Sequence, residues 1–323
     1  MTHSRIAIIV AGPTCSGKSA LALNLATRFG GHVLNADSMQ VYRDLRVLTA
    51  RPSEHDENAA PHRLYGVLDA EKAGSVAWWR SAALDAMATA WRAGAVPILC
   101  GGTGMYLRAL TDGLVEVPDP GASAREEART MIEVEGAASV HARLAAVDPE
   151  TASGLRATDG QRIARAWEVW RGTGHGLAWW RKQPGLPPAP CRFLAVRLDP
   201  PRPLLREAIA KRFRTMLDEG ALAEVDALMA RDLSSALPAM RAHGVPELIA
   251  YRHGTIGLDE ALERAVLATG RYTRRQATWF NHHSLATDED TYISRDRFDP
   301  SAQLSKRESD KIEIFIHERL TCV

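Results

Sequence analysis

Four short apolar runs punctuate the chain: Ile6-Ala-Ile-Ile-Val10, His32-Val-Leu-Asn-Ala36, Val96-Pro-Ile-Leu-Cys100 and Arg192-Phe-Leu-Ala-Val-Arg-Leu198. Little polar alternation interrupts them, as in strands covered on both faces, so they predict a mostly parallel sheet. Between them the apolar positions change period. Ala20, Leu21, Leu23, Leu25 and Ala26 predict a helix ended by Gly30 and Gly31. Val76, Trp79, Ala83, Met87 and Trp91 predict another over 75–93, with Trp78 and Trp79 packing rather than stacking on a ligand. Residues 45–65 show no clear period and read as loops. From 115 to 190 no strand pattern occurs, and Pro118, Pro120, Pro184, Pro187, Pro188 and Pro190 bracket a helix-rich stretch, as linkers bracket an inserted unit.

Inside that stretch, Thr158-Asp-Gly-Gln161 reads as a capping box, followed by an apolar stripe of Ile163, Ala166, Trp167 and Trp170. On pattern alone Gln161 is a cap residue and Arg162 and Arg165 are solvated. Helices are predicted over 204–217, 222–228, 246–251 and 258–280. Beyond Asn281 the chain reads as polar and irregular, with one apolar helix at 312–320. These patterns divide the chain into a first part of an α/β core (1–114), a helical insertion (115–190), a largely helical second part of the core (191–290) and a tail without an assigned role (291–323).

Composition adds constraints. The 323 residues are 46% hydrophobic and 24% charged, ordinary for a soluble globular protein. Forty Lys and Arg against 39 Asp and Glu give a net charge of +1, which does not mark a generally nucleic-acid-binding chain. Charge is uneven, however: residues 156–214 hold 13 Lys and Arg against four Asp and Glu. Met1-Thr-His-Ser-Arg5 runs directly into the first strand, and no apolar run has the length of a membrane span, so a cytoplasmic location and no membrane partner are expected. Cys15, Cys100, Cys191 and Cys322 lack metal-ligand spacing and are expected as free thiols.

Chemistry concentrates where the first strand ends. Gly12, Pro13, Thr14, Cys15, Ser16, Gly17, Lys18 and Ser19 spell G-x-x-x-x-G-K-S between a strand and a helix, the setting of a phosphate-binding loop. Its glycines let backbone N–H groups turn inward, Lys18 adds a charge and Ser19 a hydroxyl for magnesium. The fold class is therefore a P-loop NTPase-like α/β core, its mostly parallel sheet flanked by helices, with an α-helical insertion domain. Asp37 follows the second strand and Gly101-Gly-Thr-Gly104 the third, at the sheet edge where open parallel sheets bind ligands. The second glycine turn would let a substrate approach closely, with Thr103 supplying a hydroxyl. Asp37 is thus expected to open toward the same crevice as Lys18.

Several motifs coincide in order: G-P-T-C-S-G-K-S at 12–19, N-A-D-S-M-Q-V-Y at 35–42, G-G-T-G-M-Y at 101–106, D-G-Q-R-I-A-R-A-W-E-V at 159–169 and R-Q-A-T-W-F at 275–280. Together they resemble the bacterial tRNA dimethylallyltransferase (tRNA isopentenyltransferase) family over residues 6–282. The resemblance implies transfer of a dimethylallyl group from dimethylallyl diphosphate to the exocyclic amine of the adenine just 3′ of the anticodon. It implies that residues 12–19 and Arg212 hold the diphosphate, with magnesium on Ser19. Asp37 becomes the general base, with a helix cap or a magnesium contact through water as its alternatives, and Thr103 an orienting group. Ser38, Met39 and Gln40 beside Asp37, together with Arg125, Gln161, Arg162, Ile163, Ala164 and Arg165, become contacts to the tRNA anticodon stem-loop. A monomer is expected.

Three places depart from the family pattern. Val47-Leu-Thr-Ala-Arg51-Pro52 replaces the usual Gly-Thr-Ala-Lys-Pro turn, Ala208 stands where many members carry an arginine, and Ala242-His-Gly-Val245 replaces a common Gly-Tyr pair. Rival readings are a small-molecule kinase, an isopentenyltransferase for free adenine nucleotides, and a non-catalytic RNA-binding P-loop protein.

Overall fold

The computed structural model describes residues 5–299 and 303–321. Readings that fall on Met1 to Ser4 and on Cys322 lie outside these residues. In chain order the elements are β1 (Ile6–Ala11), α1 (Lys18–Phe29), β2 (Gly31–Asn35), α2 (Glu54–Ala59), β3 (His62–Arg63), α3 (Val76–Arg92), β4 (Val96–Gly101) and α4 (Gly104–Thr111). A run of helices follows: α5 (Ala122–Glu135), α6 (Ala137–Val147), α7 (Pro149–Ser153), α8 (Gly160–Thr173) and α9 (Leu177–Trp180). The chain then continues as β5 (Arg192–Leu198), α10 (Arg202–Asp218), α11 (Ala221–Met229), α12 (Val245–Arg252), α13 (Leu258–His282), β6 (Thr291–Ser294) and α14 (Gln303–Thr321). It forms two units, one of residues up to Asp112 and from Ala189 onward, the other Gly113–Pro188.

The first unit is built on a sheet of order β3-β2-β4-β1-β5-β6 in which every neighbouring pair is parallel. Ile8 of β1 stands opposite Ile98 of β4 and Leu194 of β5. Because successive side chains alternate faces, β1 feeds two cores. Ala7, Ile9 and Ala11 join Trp79, Met87, Leu99, Phe213 and Val245 on one side. Ile6, Ile8 and Val10 join Leu21, Leu25, Ile98 and Ile316 on the other. This double burial is why the central strands read as unbroken apolar runs, each fully buried Ile or Leu contributing about 1.5–3 kcal/mol. Trp79 is fully buried, stacks on Tyr106 at 4.4 Å and donates Nε1 to the Asn35 carbonyl at 2.8 Å.

The sequence reading fails in three places. Residues 45–65 contain α2, started by a capping box between Ser53 and Asp56, and the two-residue strand β3. The region beyond Asn281 is not irregular: β6 extends the sheet beside β5, and α14 begins at Gln303, well before Ile312. An edge strand is covered on fewer sides, so Thr-Tyr-Ile-Ser carries no continuous apolar signature. Finally, the cap of α8 is Asp159, whose side chain accepts the Arg162 N–H, and not Thr158.

The second unit has its own core, in which Ala128 and Met131 of α5 meet Val140 and Leu144 of α6 and Ile163, Ala166 and Trp167 of α8. Paired backbone bonds between Leu114 and Leu186 (3.0 and 2.8 Å) hold its entering and leaving strands of chain together. Among the described residues no helix is long and apolar enough to cross a membrane.

Candidate active site at the carboxyl edge of the sheet

The loop after β1 takes the shape its glycines permit. Gly17 has φ +92°, and a Cβ there would lie 2.0 Å from the Phe298 carbonyl oxygen, so only glycine fits. Cys15 shares the left-handed region at φ 65°, a strained state for a residue with a side chain, of a kind found at ligand-binding turns. Gly12 and Pro13 are buried, and Pro13 accepts both the Ser16 N–H at 3.2 Å and Lys18 Nζ at 3.5 Å. Lys18 is 9% exposed, while Ser19 opens to solvent. The Ser16 hydroxyl is fully buried without a hydrogen-bond partner among the described residues. Such an orphan costs about 1–3 kcal/mol, a cost that a bound phosphate oxygen would remove.

Arg212, on α10, reaches this loop. Its guanidinium lies 3.6 Å from the Cys15 Sγ and donates to the Thr49 carbonyl at 3.3 Å. Lys18, Ser19, Lys211 and Arg212 line a cavity of about 630 Å3. Ala208 lines it as a small uncharged residue.

Asp37 sits where β2 ends. Its N–H donates to Asn35 Oδ1 at 2.8 Å and its own Oδ1 accepts the Met39 N–H at 2.9 Å, so the side chain closes a turn as Asx residues do. No helix follows, so the helix-cap alternative does not apply. Oδ2 has no hydrogen-bond partner among the described residues. One oxygen is anchored and the other is open. Thr103, after β4, accepts the Ser38 N–H at 2.9 Å and donates to Ser38 Oγ at 3.3 Å. Its hydroxyl is thus spent on orienting the Asp37 turn. Met39 is partly buried against the core. Gln40 is a correction: it is 8% exposed and Nε2 donates to the Thr49 and Ala50 carbonyls, both at 2.9 Å. The amide nitrogen braces the neighbouring loop, so that half of the side chain is not available to an RNA.

The residue that joins these parts lies in the R-Q-A-T-W-F stretch, but the sequence reading assigns it no role there. Gln276 of α13 is 4% exposed; its Oε1 accepts the Thr14 N–H at 2.9 Å and Nε2 donates to the Gly102 carbonyl at 3.0 Å. The phosphate loop, the turn after β4 and the turn after β2 are therefore one hydrogen-bonded set. Gly102 and Gly104 do not leave room for substrate as expected: a Cβ would meet Gln276 Nε2 at 2.1 Å or the Trp279 ring at 2.2 Å. Protein fills the space. The available signal was on α13, whose buried stripe of Ala261, Ala265, Thr269, Thr273, Gln276 and Phe280 turns polar midway, as a merely structural stripe rarely does. Tyr272 was also missed. Burial, then the facing Asp37 carboxylate, push its phenol up to about 12, with a hydrogen bond to Thr103 opposing, so it remains a neutral donor. Burial likewise pushes the Cys100 thiol up to about 11 against the pull of Lys18. Cys15, Cys100 and Cys191 are free.

The altered turn at 46–51 is held by Glu224, whose carboxylate accepts the N–H groups of Arg46, Val47 and Leu48, the last two at 2.8 Å. The positive φ falls on Ala50 and not on Leu48, which stands in the glycine's place, so the missing glycine costs no strain there.

In the second unit Arg125, Arg162 and Arg165 are exposed and paired with Asp119, Asp159 and Glu168. Gln161 is exposed and Ala164 half-buried. Ile163 is a correction: it is fully buried in the core of the unit, so its side chain meets no RNA. The basic excess over 156–214 is partly neutralised by carboxylates from outside it, among them Glu127, Glu150 and Asp290.

A family model described as IPP transferase matches residues 40–283, and one described as isopentenyl transferase matches residues 5–74. The chain is 67% identical over 316 residues to the tRNA dimethylallyltransferase of Gluconobacter oxydans, covering 98% of this chain and 95% of that protein. It is 60% identical over 318 residues to the protein of the same name from Gluconacetobacter diazotrophicus, covering 98% and 96%. Among solved structures it is similar to the full-length tRNA isopentenylpyrophosphate transferase of Bacillus halodurans, with a TM-score of 0.68 and 26% identity across 99% of this chain and 97% of that one. It is also similar to a eukaryotic dimethylallyltransferase acting on tRNA, with a TM-score of 0.75 and 25% identity across 98% and 80%.

Proposed function

The chain belongs to the tRNA dimethylallyltransferase family, and from that premise we propose that it moves the dimethylallyl group of dimethylallyl diphosphate onto the exocyclic amine of the adenine 3′-adjacent to the anticodon. The observation that carries this reading is the continuous set Thr14–Gln276–Gly102 and Thr103–Ser38–Asp37, which puts an anion cradle and an open carboxylate oxygen on one sheet edge.

The diphosphate would sit on the loop N–H groups with Lys18, Ser16 and Arg212. As the allylic carbon–oxygen bond breaks, negative charge grows on the departing diphosphate, and these fixed donors become worth more in the transition state than before it. The amine nitrogen bonds to the allylic carbon and loses a proton, which Asp37 Oδ2 accepts. Thr103 keeps that carboxylate in register through Ser38. Magnesium fits the donor set: Ser19 offers a hard oxygen, and magnesium in phosphate sites takes few protein ligands and several waters. When bound it would neutralise charge on the diphosphate. Among the described residues no group of three or more His, Cys, Asp and Glu is placed to hold a metal without such a ligand.

On the second unit Arg125, Gln161, Arg162 and Arg165 would contact the RNA. Exposed ion pairs contribute about 0–1 kcal/mol, so phosphates can take these arginines from their carboxylates. The target base must leave its stack to be modified. All the residues named belong to one chain, and the reading treats the monomer as the acting unit.

The test is to incubate the enzyme with dimethylallyl diphosphate, magnesium and an unmodified anticodon stem-loop, then weigh the RNA by mass spectrometry. A mass gain of one dimethylallyl group on that adenine, lost when it becomes guanine, is expected. Unchanged RNA together with phosphate transfer from ATP to a small acceptor would replace the reading with a kinase.

A further inference from the structure

The segment after β6 is folded onto the phosphate loop. The Phe298 N–H donates to the Ser16 carbonyl at 2.9 Å, and the Phe298 carbonyl occupies the space that a Cβ on Gly17 would need. Arg297 Nε donates to the Cys15 carbonyl at 3.1 Å. The segment is pinned from behind, since Phe298 is 5% exposed and packs in one core with Ile312 and Ile316 of α14. This seating puts Arg297 on the wall of the same cavity as Lys18, Ser19, Lys211 and Arg212.

We propose that Arg297 is a further diphosphate-binding residue, and that the segment carrying it is a wall of the substrate site; the proposal rests on the functional reading above. A guanidinium has five N–H donors. Arg297 spends Nε on Cys15 and one Nη on Asp299 at 3.2 Å, and its other N–H groups have no acceptor among the described residues. The pair with Asp299 is half-buried, its side chains 34% and 40% exposed, and a pair that water still reaches holds weakly. A diphosphate presents several anionic oxygens to a fork that matches them in geometry. Lys18 and Arg212 approach from the helices α1 and α10, while Arg297 approaches from the loop's outer flank. The bond to Cys15 fixes the guanidinium in place before ligand arrives, so little side-chain entropy is lost on binding.

The experiment is calorimetric titration of the full chain with inorganic diphosphate and magnesium, using wild type, Arg297→Gln, Arg297→Lys and Lys18→Ala, with thermal melts of each. Glutamine keeps an N–H donor for the Cys15 carbonyl and removes the charge. The expected result is an affinity about tenfold or more weaker for Arg297→Gln, partial recovery in Arg297→Lys and an unchanged melting temperature, because a charge-assisted contact is lost and the brace kept. Binding by Arg297→Gln within about twofold of wild type, while Lys18→Ala binds poorly, overturns the role of Arg297 alone. Equal losses in the Gln and Lys variants with lowered melting mean that the residue only braces the loop, and also overturn it. If wild type itself fails to bind diphosphate, the functional reading falls and this inference with it.

Discussion

Gln276 holds two parts of the site with the two ends of one amide, accepting a hydrogen bond from the Thr14 N–H and donating one to the Gly102 carbonyl. Its removal leaves both partners unpaired in a buried place. Gln276→Ala is therefore expected to cost about 1–3 kcal/mol in a urea melt and to raise the KM for the allylic diphosphate more than that for RNA. Wild-type stability and unchanged KM values would show that the amide is dispensable. The phosphate loop and Asp37 were legible because their chemistry needs particular residue types at particular spacing. Gln276, Tyr272 and Arg297 were not, because each reaches the site from an element far away in sequence. Ile163 and Gln40 misled in the opposite sense: motif position nominated them, whereas burial gives them to the protein core and to the 49–50 backbone.

At the scale of elements, the central strands were readable from apolar runs because the sheet covers them on both faces. β6 was not, although it orders the chain that leads to Arg297. Its start is anchored by Asp290, 6% exposed, which binds Arg192 at 2.8 and 2.5 Å and lies 3.7 Å from Arg319 of α14. The hydrogen bonds from Arg192 hold the Asp290 carboxyl below its ordinary value of 3.8 despite opposing burial. A depressed folded pKa gives stability that is complete above the unfolded value and is lost as the pH falls below 3.8 and through the folded value. Acid melts should therefore show wild type losing its advantage over Asp290→Asn in that window. A stability difference between the two that stays constant from neutral pH into acid would contradict the anchor.

At the scale of the molecule, the first unit holds two cores and the second unit a third. Prolines and the absence of strand patterning marked the helical segment, and the cross-bonded pair Leu114 and Leu186 gives the physical reason that it can be spliced into a sheet-based unit. A near-neutral chain can serve an RNA substrate because exposed arginines at a few positions set the electrostatics locally. The central claim is narrower: one carboxylate oxygen at the end of β2 takes the proton of the amine while the loop after β1 receives the departing diphosphate. The most direct measurement is single-turnover transfer by Asp37→Asn beside wild type, with anticodon stem-loop affinity measured on the same preparations. A transfer rate lower by about 10²–10⁴-fold with RNA affinity nearly unchanged is predicted, since a placed base acts in the transition state. Transfer at the wild-type rate, or a loss confined to RNA binding, would contradict it.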